Sequence, residues 1–291
     1  MSRLSAKLFV LLQRALPKIL LTLIVNKIAR VRIVRVKNFL IRAFVKAYNV
    51  NLDEVKQSVP GDFDSFNSFF TRELANGARP VDPARDTIGS PVDGTISAAG
   101  VIHNERIFQA KGIDYSLAEL LATDTQDAAT YADGSFATIY LAPYNYHRVH
   151  APIAGRVVKI SYVPGNLYSV NEATVTTLPG LFVQNERLVC HLHTDAGPAV
   201  LVFVGAMNVG SISTQWTGEI RPKKNGVVEQ IGLLHGESAI TFDKGGLLGW
   251  FNMGSTVILL FPPGVTMNFD DLNSGATVQV GEVLGHIVAP H

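Results

Sequence analysis

"LLGWFNMGSTVILLFPPG", residues 247–264, places a small polar pair, Gly254 and Ser255, inside an apolar run. The segment after it, "STVILLF", is β-branched and apolar and stops at Pro-Pro-Gly, which reads as a strand ended by a turn. A glycine inside such a run marks a bulge, a tight bend or a close backbone approach. Working outward from this segment, the same texture recurs from Ser90 onward. "FATIYLAP", "RVVKISYVPG", "AVLVFVGAMNVGSI" and "NGVVEQIGLL" are short β-rich runs punctuated by Gly and Pro. Their spacing predicts a mainly-β sandwich or barrel rather than βαβ units. "SPVDGTI", "APIAGRV" and "RPKKNGVV" form a weak internal echo, each a turn feeding a strand.

The N-terminal fifty residues differ in kind. They carry eleven Lys/Arg and no acid, whereas the rest of the chain holds 14 basic residues against all 24 Asp/Glu. Unbroken apolar pieces such as Leu8 to Leu12 are far short of the roughly 20 residues that a spanning helix needs. Helical spacing gathers Leu4, Leu8, Leu11, Leu12 and Ala15 on one face, with Arg3, Lys7, Arg14 and Lys18 largely off it. Pro17 is expected to split this into two helices. The pattern predicts interfacial helices with Lys/Arg at anionic headgroups. Two other readings compete: a serine-poor presequence, and a face that packs on the protein's own core.

The fold expected is therefore α+β and mainly β, a sandwich- or barrel-like body preceded by amphipathic helices. Residues 1–50 form the membrane-associating arm, 51–84 short helices ("LDEV", "FDSFNSFFTREL") and a linker ("NGARPVDPARD"), and 85–291 the body. With 47% apolar residues the chain can bury a sizeable core, and its single cysteine, Cys190, excludes an intramolecular disulfide.

Common cofactor motifs are absent: there is no G-x-G-x-x-G after a strand, no G-x-x-x-x-G-K-[ST], no H-E-x-x-H and no G-x-S-x-G. "LVCHLHTD" suggests a metal site, but on a strand His191, His193 and Asp195 share one face while Cys190 points to the other, so no metal is expected there. "YLAPYNYHRVHAP" is denser, with His147 and His150 beside Arg148, Tyr144 and Tyr146. Histidine suits proton transfer near neutrality. Asp93, in the turn of "SPVDGTIS", gains meaning only by orienting a histidine. Asp93, His150 and Ser255 could then form an Asp–His–Ser set, in which the acid fixes the imidazole and the imidazole takes the serine proton.

At these residues the chain resembles the bacterial, membrane-associated phosphatidylserine decarboxylases, which are pyruvoyl-dependent. "FNSFFTREL", "SPVDGTIS", "YNYHRVHAPIAGRV", "YVPGNLYSVN", "VGAMNVGSI" and "KGGLLGWFNMGSTVILLFPPG" fall in the family's order. One departure is Met253, where leucine is usual. The resemblance implies that Ser255 attacks the carbonyl of Gly254 and that elimination cuts the chain into a β chain, 1–254, and an α chain, 255–291. Ser255 then becomes a pyruvoyl group, which decarboxylates phosphatidylserine to phosphatidylethanolamine through a Schiff base, with neither metal nor pyridoxal phosphate. Asp93 and His150 are expected to activate Ser255, and His147 to assist decarboxylation and proton return, with exchanged or shared roles for the two histidines left open. Expected partners are phosphatidylserine in an anionic membrane and the chain's own two fragments, with a dimer of these pairs left open and no nucleic acid. The expected location is the cytoplasmic face of the inner membrane, as a peripheral protein. The rival readings are a membrane-associated Asp-His-Ser lipid hydrolase and a non-catalytic membrane adaptor.

Overall fold

Ser255–Phe261 is buried at every position and occupies the interior of a nine-stranded antiparallel sheet. A strand covered on both faces has no solvent side to alternate toward, which accounts for the unbroken apolar run. It pairs with Ser135–Leu141 on one side, with Ser255 opposite Leu141, and with Gly197–Val204 on the other. Outward from there, Gly94–Val101 and Thr277–Val278 extend one flank, and Arg187–Thr194, Gly155–Val163 and Glu229–Leu233 the other, with Ile240–Phe242 also on Gly155–Val163. A second, four-stranded sheet runs Gly218–Ile220, Ile212–Thr214, Leu247–Phe251, Arg148–His150. This computed structural model describes residues 3–207, 211–223, 226–233, 240–267 and 269–288. The mainly-β α+β class expected from sequence is the one observed.

Of the three turn echoes, two open strands as expected, at Gly94 and Gly155. The third, "RPKKNGVV", lies partly outside the described residues. Within Arg187–Thr194, Cys190 is buried, His191 half-buried and His193 exposed. Among the described residues no group of three His, Cys, Asp or Glu is placed to hold a metal ion.

Helices α1 (Arg3–Ala15) and α2 (Lys18–Ala29) break at Pro17 and meet at 84°. A third helix, α3 (Val34–Tyr48), follows. No single described helix is long and apolar enough to cross a membrane, although α1 and α2 together have the length and composition. Helix α1 turns its small face inward. Ala6, Val10 and Gln13 are buried, and the Gln13 side chain accepts from Ser169 N–H at 2.7 Å and donates to Thr174 Oγ1 at 3.2 Å. Its leucine face points outward, with Leu4 79% and Leu8 67% exposed, and Leu11 and Leu12 also exposed. Core packing of that face, one of the competing readings, is not what the fold does with it.

Between arm and body, "LDEV" is not helical: residues 52–54 form a turn, and Val55 bridges to Leu74. Four residues cannot offset the cost of helix nucleation without tertiary support. "FDSFNSFFTREL" does contain a helix, α4 (Phe66–Phe70), opened by Ser65, whose hydroxyl accepts from Ser68 N–H. Its Phe66, Phe69 and Phe70 join Ile41, Phe63, Ala29 and Val50 in a second apolar cluster, against which Met253 packs. Ala29, Ile41 and Val50 of the arm thus share a cluster with Met253, the residue before Gly254.

Candidate active site

The chain crosses from one sheet to the other at residues 252–254. Leu247–Phe251 belongs to the four-stranded sheet and Ser255–Phe261 to the nine-stranded one. The Gly-Ser pair therefore sits at a corner between sheets, rather than at a bulge within one strand. Two devices hold the corner. Asn252, 3% exposed, donates through Nδ2 to Ser211 Oγ (2.8 Å) and Ser213 Oγ (2.9 Å). Its Oδ1 accepts from Asn67 Nδ2 at 3.1 Å, and its backbone N–H donates to the Ser211 carbonyl at 3.0 Å. Met253 then adopts φ = 105°, a region that costs a residue with a Cβ about 1–3 kcal/mol. Gly254 itself is not among the positive-φ residues, so the strain sits on its neighbour. At Gly254 a Cβ would meet nothing within 4 Å, so the residue borders open space on that side. Ser255 is 1% exposed, and its hydroxyl has no hydrogen-bond partner among the described residues. Asn252→Ala is expected to release the corner and slow any reaction of the Gly254–Ser255 bond about tenfold or more, followed as loss of full-length chain over time. Asn252→Asp, which keeps the acceptor, tests whether the lost donors carry the effect.

Neither histidine is hydrogen-bonded to Ser255, and each is held by partners of its own. Leu141, opposite Ser255, leads through the turn at 142–146 into His147, and the His147 carbonyl accepts from Phe251 N–H at 3.0 Å. The backbone at His147 is thus tied at both ends to the segments that flank Gly254–Ser255. Its ring is fully buried and packs on Phe70 with centroids 4.1 Å apart. Nδ1 lies 2.8 Å from the Asn145 carbonyl, which can only accept, so Nδ1 carries the proton and Nε2 keeps a free lone pair. That Nε2 is buried without a partner among the described residues. Burial, with the Arg72 charge adding to it, drives the pKa of His147 down to about 3, so the ring is neutral and weakly basic.

His150, three residues on, is a register partner of Leu247. Its Nδ1 donates to the Gly245 carbonyl at 2.7 Å, which leaves Nε2 to accept from the Tyr146 hydroxyl at 3.0 Å. Gly245 holds φ = 78°, and a Cβ there would run into the Val81 side chain at 2.5 Å, so glycine is required to aim this carbonyl. Burial lowers the His150 pKa and the Arg148 charge adds to this, while the Gly245 bond and the Asp93 charge act against it. The ring borders a cleft of about 250 Å³ lined also by Tyr146, Arg148, Glu73 and Arg79.

Asp93 is buried, but no direct hydrogen bond joins it to His150. Its carboxylate is held by Arg79, Nε at 2.9 Å and Nη2 at 2.6 Å, and also accepts from Val280 N–H at 2.9 Å. Arg79 in turn pairs with Glu54 at 2.9 Å. Asp93 therefore influences His150 through space. Sequence reasoning missed Arg79, which lies in the stretch read as a linker, and Tyr146 as the partner of His150. "FNSFFTREL" and "YHRVH" also prove to be one assembly: Arg148 donates to the Thr71 carbonyl at 2.9 Å and to Glu73 at 3.2 Å.

A family profile described as phosphatidylserine decarboxylase matches residues 66–286, which include Arg79, Asp93, His147, His150, Asn252 and Ser255, and a second, described as PSD, matches 8–49. The chain belongs to the phosphatidylserine decarboxylase family. It is 43% identical over 282 residues to the phosphatidylserine decarboxylase proenzyme of Marinobacter nauticus, covering 97% of this chain and 98% of that one. The proenzyme of Shewanella amazonensis is 44% identical over 278 residues, 95% and 97% of the two chains. That of Nitrosococcus oceani is 43% identical over 286 residues, 98% and 93%. Family membership thus covers both the basic arm and the body.

Proposed function

We propose that the chain decarboxylates phosphatidylserine to phosphatidylethanolamine, using a pyruvoyl group made from its own Ser255 by cleavage of the Gly254–Ser255 bond. The observation that carries this reading is the state of that bond. A buried hydroxyl without a partner follows a strained residue and a glycine bordered by open space, at a corner clamped by Asn252. In a folded interior a hydroxyl without a partner is costly, and one retained next to a peptide carbonyl is suited to attack it.

The chemistry of cleavage balances within the chain. Ser255 Oγ gives its proton to a base and bonds to the Gly254 carbonyl carbon; the C–N bond breaks, and the amide becomes an ester. Loss of the Ser255 α-proton expels the Gly254 carboxylate, ending one chain at 254. The dehydroalanine left at 255 takes up water and sheds ammonia, leaving the new terminus. The group so formed supplies a ketone that draws electrons from a bound amine substrate as carbon dioxide leaves.

The stronger base is His150, because the Asp93 charge favours its protonated form, whereas no carboxylate supports His147. His147, neutral and aimed by the Asn145 carbonyl, is assigned to substrate contact and proton return. A second reading makes His147 the cleavage base, favoured by one observation: its Nε2 and Ser255 Oγ are both buried without partners.

The arm would place the site at an anionic lipid surface, and the peripheral location expected from sequence is part of this proposal. The outward Leu4, Leu8, Leu11 and Leu12, with exposed Ile33, Val34 and Phe39, support it. Replacing Leu4, Leu8 and Leu11 together by serine is expected to cut co-sedimentation with phosphatidylserine-containing vesicles by tenfold or more, with cleavage intact. Equal co-sedimentation would remove the arm from lipid binding. Decarboxylation itself is tested by release of carbon dioxide from the same vesicles.

A further inference from the structure

Arg72, in the turn after α4, is a buried cation whose partners do not use it. Only 4% of it is exposed, and its Nη2 donates to the Tyr144 carbonyl at 3.1 Å. Nε and Nη1 are buried without a hydrogen-bond partner among the described residues. The Phe69 ring lies beneath the guanidinium, 5.3 Å from its centroid. Asp93 and Glu54 are the acids that act on Arg72 through space, and both are already bonded to Arg79. Arg72 forms part of the wall of a cavity of about 580 Å³ that also reaches Tyr144, Asn145, Tyr146, Asp93 and Arg79.

A buried charge without a partner carries a desolvation cost, which falls when an anion arrives with matching acceptors. A guanidinium with Nε and one Nη free offers the fork that an oxyanion accepts with two oxygens. Through Tyr144 the fork is fixed to the turn between Leu141, opposite Ser255, and His147. The Arg72 charge also acts on the buried ring of His147, the histidine assigned to substrate contact.

Resting on the decarboxylase reading, we propose that Arg72 seats the phosphodiester of the lipid headgroup. The substrate offers two anions, and the chemistry selects between them. The carboxylate must leave as carbon dioxide, and a bidentate ion pair with it would stabilise the ground state against the transition state. The phosphodiester is unchanged through the reaction, so contacts to it bind substrate without opposing the chemical step.

The test compares the wild-type enzyme with Arg72→Gln and Arg72→Lys in detergent micelles containing phosphatidylserine. Each variant is first checked for cleavage at 254/255 by mass. The expected result is normal cleavage, KM for phosphatidylserine raised tenfold or more in Arg72→Gln, a smaller rise in Arg72→Lys, and little change in kcat. Competition on the wild type tests the same seat without a variant that could misfold: glycerophosphoserine should inhibit competitively, inorganic phosphate weakly and free serine not at all. An unchanged KM in Arg72→Gln, or inhibition by serine equal to that by glycerophosphoserine, overturns the phosphate seat while leaving the decarboxylase reading in place. A wild type that is cleaved but releases no carbon dioxide from phosphatidylserine overturns both.

Discussion

Ser255→Ala is expected to remain one chain of 31.5 kDa and to release no carbon dioxide from phosphatidylserine. On the proposed chemistry the substitution removes the attacking oxygen and the source of the ketone together, so both cleavage and activity should fall below detection. Misfolding is a poor alternative explanation. The Ser255 hydroxyl has no partner among the described residues, and deleting an unpaired buried hydroxyl is neutral to slightly stabilising. The variant should therefore match the uncleaved protein in thermal stability. A Ser255→Ala protein that is still cut after residue 254 would place the nucleophile elsewhere.

The second large effect separates the two histidines. His150→Ala is expected to stay uncleaved, with the rate down about 10²–10⁴-fold, the range of a positioned general base. Asp93→Asn should follow it, because losing the acid's charge makes the protonated form of His150 still less favourable. The buried pair with Arg79 is broken in that variant, and removing one partner of such a pair costs about 3–5 kcal/mol. Arg79 keeps Glu54, so the loss should be smaller, and a melting curve separates it from the chemical effect. His147→Ala should cleave at close to the normal rate yet decarboxylate poorly. The reverse pattern, cleavage lost in His147→Ala and kept in His150→Ala, would establish the second reading.

The pH dependence follows from the same groups. A base must be neutral to accept the serine proton, and burial lowers the His150 pKa from that of a free imidazole, so the neutral form persists to lower pH than in a free imidazole. Cleavage should be flat through neutrality and decline only in more acid solution. Timed samples from pH 5 to 9 would show this. A rate still climbing tenfold per unit above pH 7 would point to a different base.

Much of this was legible in the residues, for reasons that can be named. Ser255–Phe261 shows itself as a β-branched run closed by Pro-Pro-Gly, and Pro17 marks where α1 ends, because both signals are local. The outward leucine face of α1 follows from 3.6-residue spacing, although spacing alone could not say which way it turned. The turn at "LDEV" was misread as a helix because four residues carry too little periodicity to decide. Arg79 was hidden in a Pro-rich stretch that looks like a linker, and its partner Asp93 is fourteen residues away across a turn. The Asn252 clamp depends on Ser211 and Ser213 arriving on a neighbouring strand, a register no local pattern encodes. Strain at Met253 instead of Gly254 was likewise invisible, since leucine and methionine read alike there.

The central claim concerns one peptide bond, and the intact mass of the purified, unsubstituted protein under denaturing conditions tests it most directly. Two species are expected, one ending at Gly254 and one beginning at position 255 with a terminus blocked to stepwise sequencing. A single 31.5 kDa chain with an unmodified serine at 255 would contradict it.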